Sequence, residues 1–216
     1  ETALRALVAT SGPLVCITAP DAPTFHWKDQ AGEQMDLLFG DRKVARYVYA
    51  PLDPERREQT YKPFHHLFDA EGQNLITKGP GGRYTHHRGI YYGFSKISFT
   101  DSTGTKHKVD TWHAKKAYQQ HTKLLESEAT ADFARHKAEI SWRLDSGDEF
   151  LREERELTFK LKEQGIEITF ASTLSTDLEN VELNGDPQHA GFQFRASNEV
   201  AESTAKQTYY IRPGSG

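Results

Sequence analysis

Two adjacent histidines and an arginine, His86, His87 and Arg88, stand directly before the aromatic run IYYGF. Imidazoles titrate near neutrality, so such a pair suits proton transfer, metal binding or recognition of a polar ligand. His113 and His189 offer the same chemistry elsewhere in the chain, and Glu153 is the candidate carboxylate. Burial on an apolar strand face would push the pKa of Glu153 upward, toward the range useful to an acid–base catalyst. Arg88, Tyr91, Trp112, Arg155, Gln193 and Arg195 form a candidate ligand-binding set. Their charges and aromatic faces suit a sugar ring. The competing reading makes the aromatics core residues and the charges a structural ion pair.

The metal candidates are His65, His66, His86, His87, His113 and His121, none in a zinc spacing such as HExxH. A two-histidine, one-carboxylate set assembled from distant strands stays open. No metal is assigned. No GxSxG elbow, P-loop or dinucleotide-binding glycine pattern occurs, and GPGGRY lacks the lysine and hydroxyl residue of a P-loop. No cofactor is expected.

Most of the elements that must position these residues have a period of two. Strands are expected over Leu14–Ala19, Lys43–Ala50, Tyr61–Phe68, Gly89–Thr100 and His107–Trp112. More follow over Thr122–Ala129, Ala134–Leu144, Phe150–Lys162, Ile166–Ser175, Leu178–Leu183, His189–Ala196 and Gln207–Ile211. DSGDE, KEQG and TDSTGTK read as the turns between strands. Only DTWHAKKAYQQHTK suggests a helical turn or two. With no strand–helix alternation and no fixed repeat, the fold class is all-β: one large antiparallel sandwich over residues 1–216.

Alternation also assigns faces. Glu153 and Arg155 fall with Leu151, Leu157, Phe159 and Leu161. Burying either charge unpaired would be costly, so the two must pair or line a polar pocket. His189, Gly191, Gln193 and Arg195 share a face opposite Ala190, Phe192, Phe194 and Ala196. His86 and His87 point to opposite sides if the strand has already begun, which would keep them from serving one compact site.

The chain has 216 residues, 36% of them hydrophobic, with 12 Phe, 9 Tyr and 3 Trp, enough for a sizeable core. Net charge is −4 with the two signs interspersed, which argues against a nucleic-acid partner. Its longest apolar run, PLVCITA, is far shorter than the ~20 residues of a membrane-spanning helix. Cys16, the single cysteine, lies in that run and reads as a buried thiol without a disulfide.

The ordered stretches YKPFHHLFDAEGQNLITKGPGGRYTHHRGIYYGF, DTWH, REERELTF and GDPQHAGFQFRASNEVAESTAKQTYYIRP resemble a bacterial family of unknown function, abundant in planctomycetes and labelled methane oxygenase PmoA or PmoA-like. The resemblance runs from about Trp27 to Pro213. It implies a relation to galactose mutarotase-like β-sandwiches, which bind sugars on a concave sheet with histidine as acid and glutamate as base. His86 or His87, His113, Glu153 and His189 are the nearest candidates for those roles. The implied function is carbohydrate processing on a small-molecule or oligosaccharide ligand. The alternatives are a non-catalytic carbohydrate-binding sandwich and, from the label, a histidine–carboxylate metal oxygenase. The resemblance further implies an extracytoplasmic location and a family that continues past the end of this chain.

Overall fold

The computed structural model describes residues 22–203. Cys16 and the strands expected over Leu14–Ala19 and Gln207–Ile211 lie outside the described residues. The rest is built from antiparallel sheets with two short helices, α1 (Arg57–Thr60) and α2 (Asn198–Glu202). In the six-stranded sheet the order is β1 (Phe25–Gln30), β2 (Gln34–Phe39), β3 (Arg42–Val48), β4 (Phe64–Leu67), β5 (Ile90–Phe94) and β13 (Ala190–Phe194). A four-stranded sheet runs β11 (Gly165–Ser175), β10 (Glu149–Lys162), β9 (Phe133–Leu144) and β8 (Ala117–Ala129). The third sheet is β12 (Glu182–Asn184), β6 (Lys96–Thr100) and β7 (Lys106–Val109).

The core lies between the sheets. Leu37, Val44, Leu67 and Ile90 of the first meet Ala134, Leu157 and Phe159 of the second. Ile97, Phe99 and Val109 pack with Ile140, Trp142, Phe150 and Leu151. Within β10 the burial alternates as its sequence does. Glu153 and Arg155 are each 0% exposed on the inward face. Arg155 Nε and Nη2 donate to Glu153 Oε1 and Oε2 at 2.7 and 3.0 Å. Trp142 Nε1 and Ser172 Oγ fill the remaining acceptor positions at 3.0 Å each, and Arg155 Nη1 reaches Pro63 O at 3.0 Å. The burial of both charges is thus matched by near-complete hydrogen bonding.

Several expected elements differ. The single strand read over Gly89–Thr100 breaks at Ser95 into β5 and β6, which belong to different sheets. No helix forms over residues 110–123. Asp110 and Lys115 close a tight turn through reciprocal backbone hydrogen bonds, with Ala114 and Lys116 at positive φ, and β8 begins at Ala117. Strands β1 and β2 gave no clean alternation. Only Phe25 of β1 is fully buried, and β2 buries Met35, Asp36 and Leu37 in succession. Asp36 enters as a carboxylate bound by Arg46 at 2.6 and 2.9 Å.

Candidate functional site

Residues 84–89 form a loop that ends where β5 starts at Ile90. The His87 amide donates to Tyr84 O at 3.0 Å, closing a turn that brings the His86 and His87 rings to a centroid separation of 4.4 Å. The expectation of opposite faces is therefore corrected, because the extended backbone it needed begins three residues later. Arg88, 1% exposed, holds the loop. Its guanidinium donates to Thr85 O, to His87 O at 2.9 Å and to Glu58 O. Gly89 follows where a Cβ would stand 2.1 Å from His65 O, so no side chain fits.

Two other segments converge on this loop. The turn after β7 presents His113, whose ring lies 4.4 Å from that of His86. The entry to β13 presents His189, 5.4 Å from His113. Each of these histidines has an aspartate three residues before it. His113 Nδ1 is 2.7 Å from Asp110 Oδ2, and His189 Nδ1 is 2.6 Å from Asp186 Oδ1. Asp110 Oδ1 also accepts the His113 amide at 2.8 Å, while Asp186 Oδ1 accepts that of Gln188 at 3.0 Å. Because a carboxylate only accepts, Nδ1 carries the proton in each dyad. Nε2 of the neutral ring then keeps a lone pair for chemistry.

His86 and His87 form no side-chain hydrogen bond among the described residues. Burial lowers their pKa values to about 4 and about 3, assisted by neighbouring imidazoles and by the cations of Arg195 and Lys62. Both rings are neutral at physiological pH. Lys62 is buried beneath the site, and its Nζ donates to Trp112 O at 2.6 Å. Desolvation, then the charge of Arg88, drives this amine well below its usual pKa. The Arg195 guanidinium lies 5.5 Å from the centre of the Trp112 ring, which is 5.4 Å from His189.

The structure brings together His86, His87, His113 and His189, with Trp112 and Arg195 against them. Glu153 and Arg155 are not part of this cluster, since their hydrogen bonds close on each other in the sheet core. Arg88 positions the loop from behind. Tyr91 and Trp112 are each 0% exposed, so neither offers a ring face to solvent. Gln193 is half-buried on β13. The carboxylates expected from Glu153 are supplied instead by Asp110 and Asp186. Their signal was the repeated spacing in DTWH and DPQH, where an aspartate side chain caps its own turn and meets the following histidine.

Beside the first dyad a cleft of about 480 Å³ opens, lined by Asp110, Ser95, Lys96, Lys108, Lys115 and Lys116 among others. Among the described residues, no three His, Cys, Asp or Glu side chains are set around one point as a metal ion requires. No described helix is long and apolar enough to cross a membrane. Residues 34–215 match the family model described as a family of unknown function, DUF6807. No curated protein and no solved structure matches the chain.

Proposed function

The chain belongs to DUF6807, a family of unknown function, and from that premise we propose that its histidine cluster carries out acid–base chemistry on a carbohydrate. One observation carries the reading: two Asp–His dyads, built on the same spacing from different parts of the chain, meet around His86. A neutral His113 or His189 takes a proton from a sugar hydroxyl through Nε2, and the aspartate on Nδ1 stabilises the imidazolium that results. The second dyad, once protonated, returns a proton to the ring or leaving oxygen. His86 and His87 remain neutral and orient the hydroxyl groups. The mutarotase-like sandwiches suggested by the sequence divide such work between a histidine and a glutamate. Here both roles fall to histidines, as Glu153 is closed in the core.

The test uses a panel of neutral and acidic mono- and oligosaccharides, read by thermal shift and by NMR exchange of the anomeric and ring protons. Acceleration of exchange that drops about 100-fold in His113→Ala or His189→Ala supports catalysis. Binding without acceleration favours the second reading, a non-catalytic carbohydrate-binding surface. That reading has some support from Tyr84, which is 40% exposed and 5.0 Å from the His87 ring. Failure of every saccharide to bind removes both.

A further inference from the structure

The charges around the dyads identify the class of saccharide. Most described arginines, Arg46, Arg57, Arg152 and Arg155 among them, have a carboxylate within 4.0 Å. Among the described residues Arg42, Arg83 and Arg195 do not, and two of these three flank the histidines. Arg83 lies over Tyr84 at 5.4 Å, beside His87. Arg195 Nη2 donates to the Gln188 carbonyl at 3.2 Å, the guanidinium lies near the Tyr91 hydroxyl, and its Nε is buried without a hydrogen-bond partner. On the other side of Asp110, the cleft is lined by Lys96, Lys108, Lys115 and Lys116, none with a carboxylate partner among the described residues.

In a chain of net charge −4 most described arginines are neutralised in place, whereas described lysines without a carboxylate within 4.0 Å are common, so Arg83 and Arg195 set this region apart and the four cleft lysines add to them by position. Cations left without partners around a cleft keep a field that draws in anions. Asp110 and Asp186 offset part of it, but each is turned to a histidine Nδ1. We propose that the substrate is an acidic saccharide, one bearing carboxylate groups, with one carboxylate received by Arg195 beside His87 and the chain continuing over the lysines of the cleft. A planar guanidinium with free N–H groups suits a carboxylate better than a hydroxyl. A nucleic acid is the poorer fit to a chain of net charge −4 in which Tyr84 is exposed beside the histidines but Trp112 and Tyr91 are buried.

The inference rests on the saccharide reading above, and the experiment separates the two. Binding of D-galacturonate and its trimer is compared with D-galactose and its trimer by calorimetry at low and physiological salt, with inorganic phosphate and a short single-stranded DNA as further arms. The acidic sugars are expected to bind at least tenfold more tightly than the neutral ones. Arg195→Gln should remove about tenfold of that preference, and Arg195→Lys should retain part of it. Lys108→Gln should weaken the trimer more than the monomer. An unchanged imidazole NMR spectrum confirms that each variant is folded. Equal affinity for acidic and neutral sugars overturns the acidic class and leaves the saccharide reading standing. Tighter binding of phosphate or DNA than of any saccharide overturns both, and so does the absence of all binding.

Discussion

His113 Nδ1 sits 2.7 Å from one oxygen of Asp110 while the other oxygen accepts the amide of His113 itself at 2.8 Å, so a single carboxylate sets both the backbone turn and the ring. Asp110→Asn keeps the turn acceptor but leaves Nδ1 facing an amide that can donate or accept. The expected outcome is a mixed tautomer population, visible as averaged ring-nitrogen shifts in 15N NMR, and weaker acceleration of sugar proton exchange. An Asp110→Asn protein that keeps a pure Nδ1–H tautomer would show that the dyad is not what orients His113.

The Glu153–Arg155 pair is expected to matter for stability and not for turnover. Removing one partner leaves a charge at a position 0% exposed, which costs about 3–5 kcal/mol. Glu153→Gln and Arg155→Met should each lower the denaturation midpoint sharply. The double variant Glu153→Leu/Arg155→Met should recover much of the loss, and a strictly additive result would contradict the pairing.

Acid should unfold this protein early. Burial holds His65 well below its ordinary pKa and lowers His66 to about 4 and His136 to about 3, alongside His86 and His87 at about 4 and about 3. Below the unfolded value of 6.5 the unfolded chain binds protons that the folded one refuses, so stability rises with pH across that window. The thermal midpoint should therefore fall steadily as pH drops from about 6.5 toward 4. His136→Phe, which removes two buried ring nitrogens without partners, should flatten the profile without loss of stability at neutral pH. A profile as steep as that of the native chain would assign the acid lability elsewhere.

Gly89→Ala should prevent folding. The added methyl would stand 2.1 Å from a backbone oxygen of β4 and 3.1 Å from the Thr77 side chain, and the backbone oxygen cannot turn aside. Expression as a soluble protein with native near-UV circular dichroism would refute the close approach of β5 to β4.

Arg88→Lys keeps a charge but cannot reproduce a fork that reaches Thr85 O, His87 O and Glu58 O together. Amide hydrogen exchange should rise over residues 84–89 and hardly elsewhere, with reduced saccharide response. Uniform exchange across the fold would show that Arg88 supports the core at large.

Much of the architecture was written in local pattern. Alternation along β9, β10 and β11 marked long antiparallel strands, and the four apolar neighbours of Glu153 and Arg155 on one face left these charges either to pair or to line a polar pocket, of which the structure shows the pair. Alternation is a property of consecutive residues, so one sequence suffices to see it. It failed for β1 and β2, whose burial follows packing against the second sheet more than a simple period.

The site divides differently. His86, His87, His113 and His189 were visible as residues capable of proton transfer, and the DxxH spacing of both dyads lies in the sequence for anyone reading for it. Their convergence does not. Residues 86, 113 and 189 meet because the chain leaves the six-stranded sheet at Ser95, β7 returns along β6 so that the turn after it hydrogen-bonds to Phe94 O at the end of β5, and β13 pairs with β5. Whether His86 and His87 share a side was decided by the turn closed at Tyr84 and clamped by Arg88, whose partner Glu58 is 30 residues away. Residue type and local period are set by neighbours along the chain. Where the two dyads meet, and which histidines join them, is set by long-range packing, and only the tertiary structure decided it.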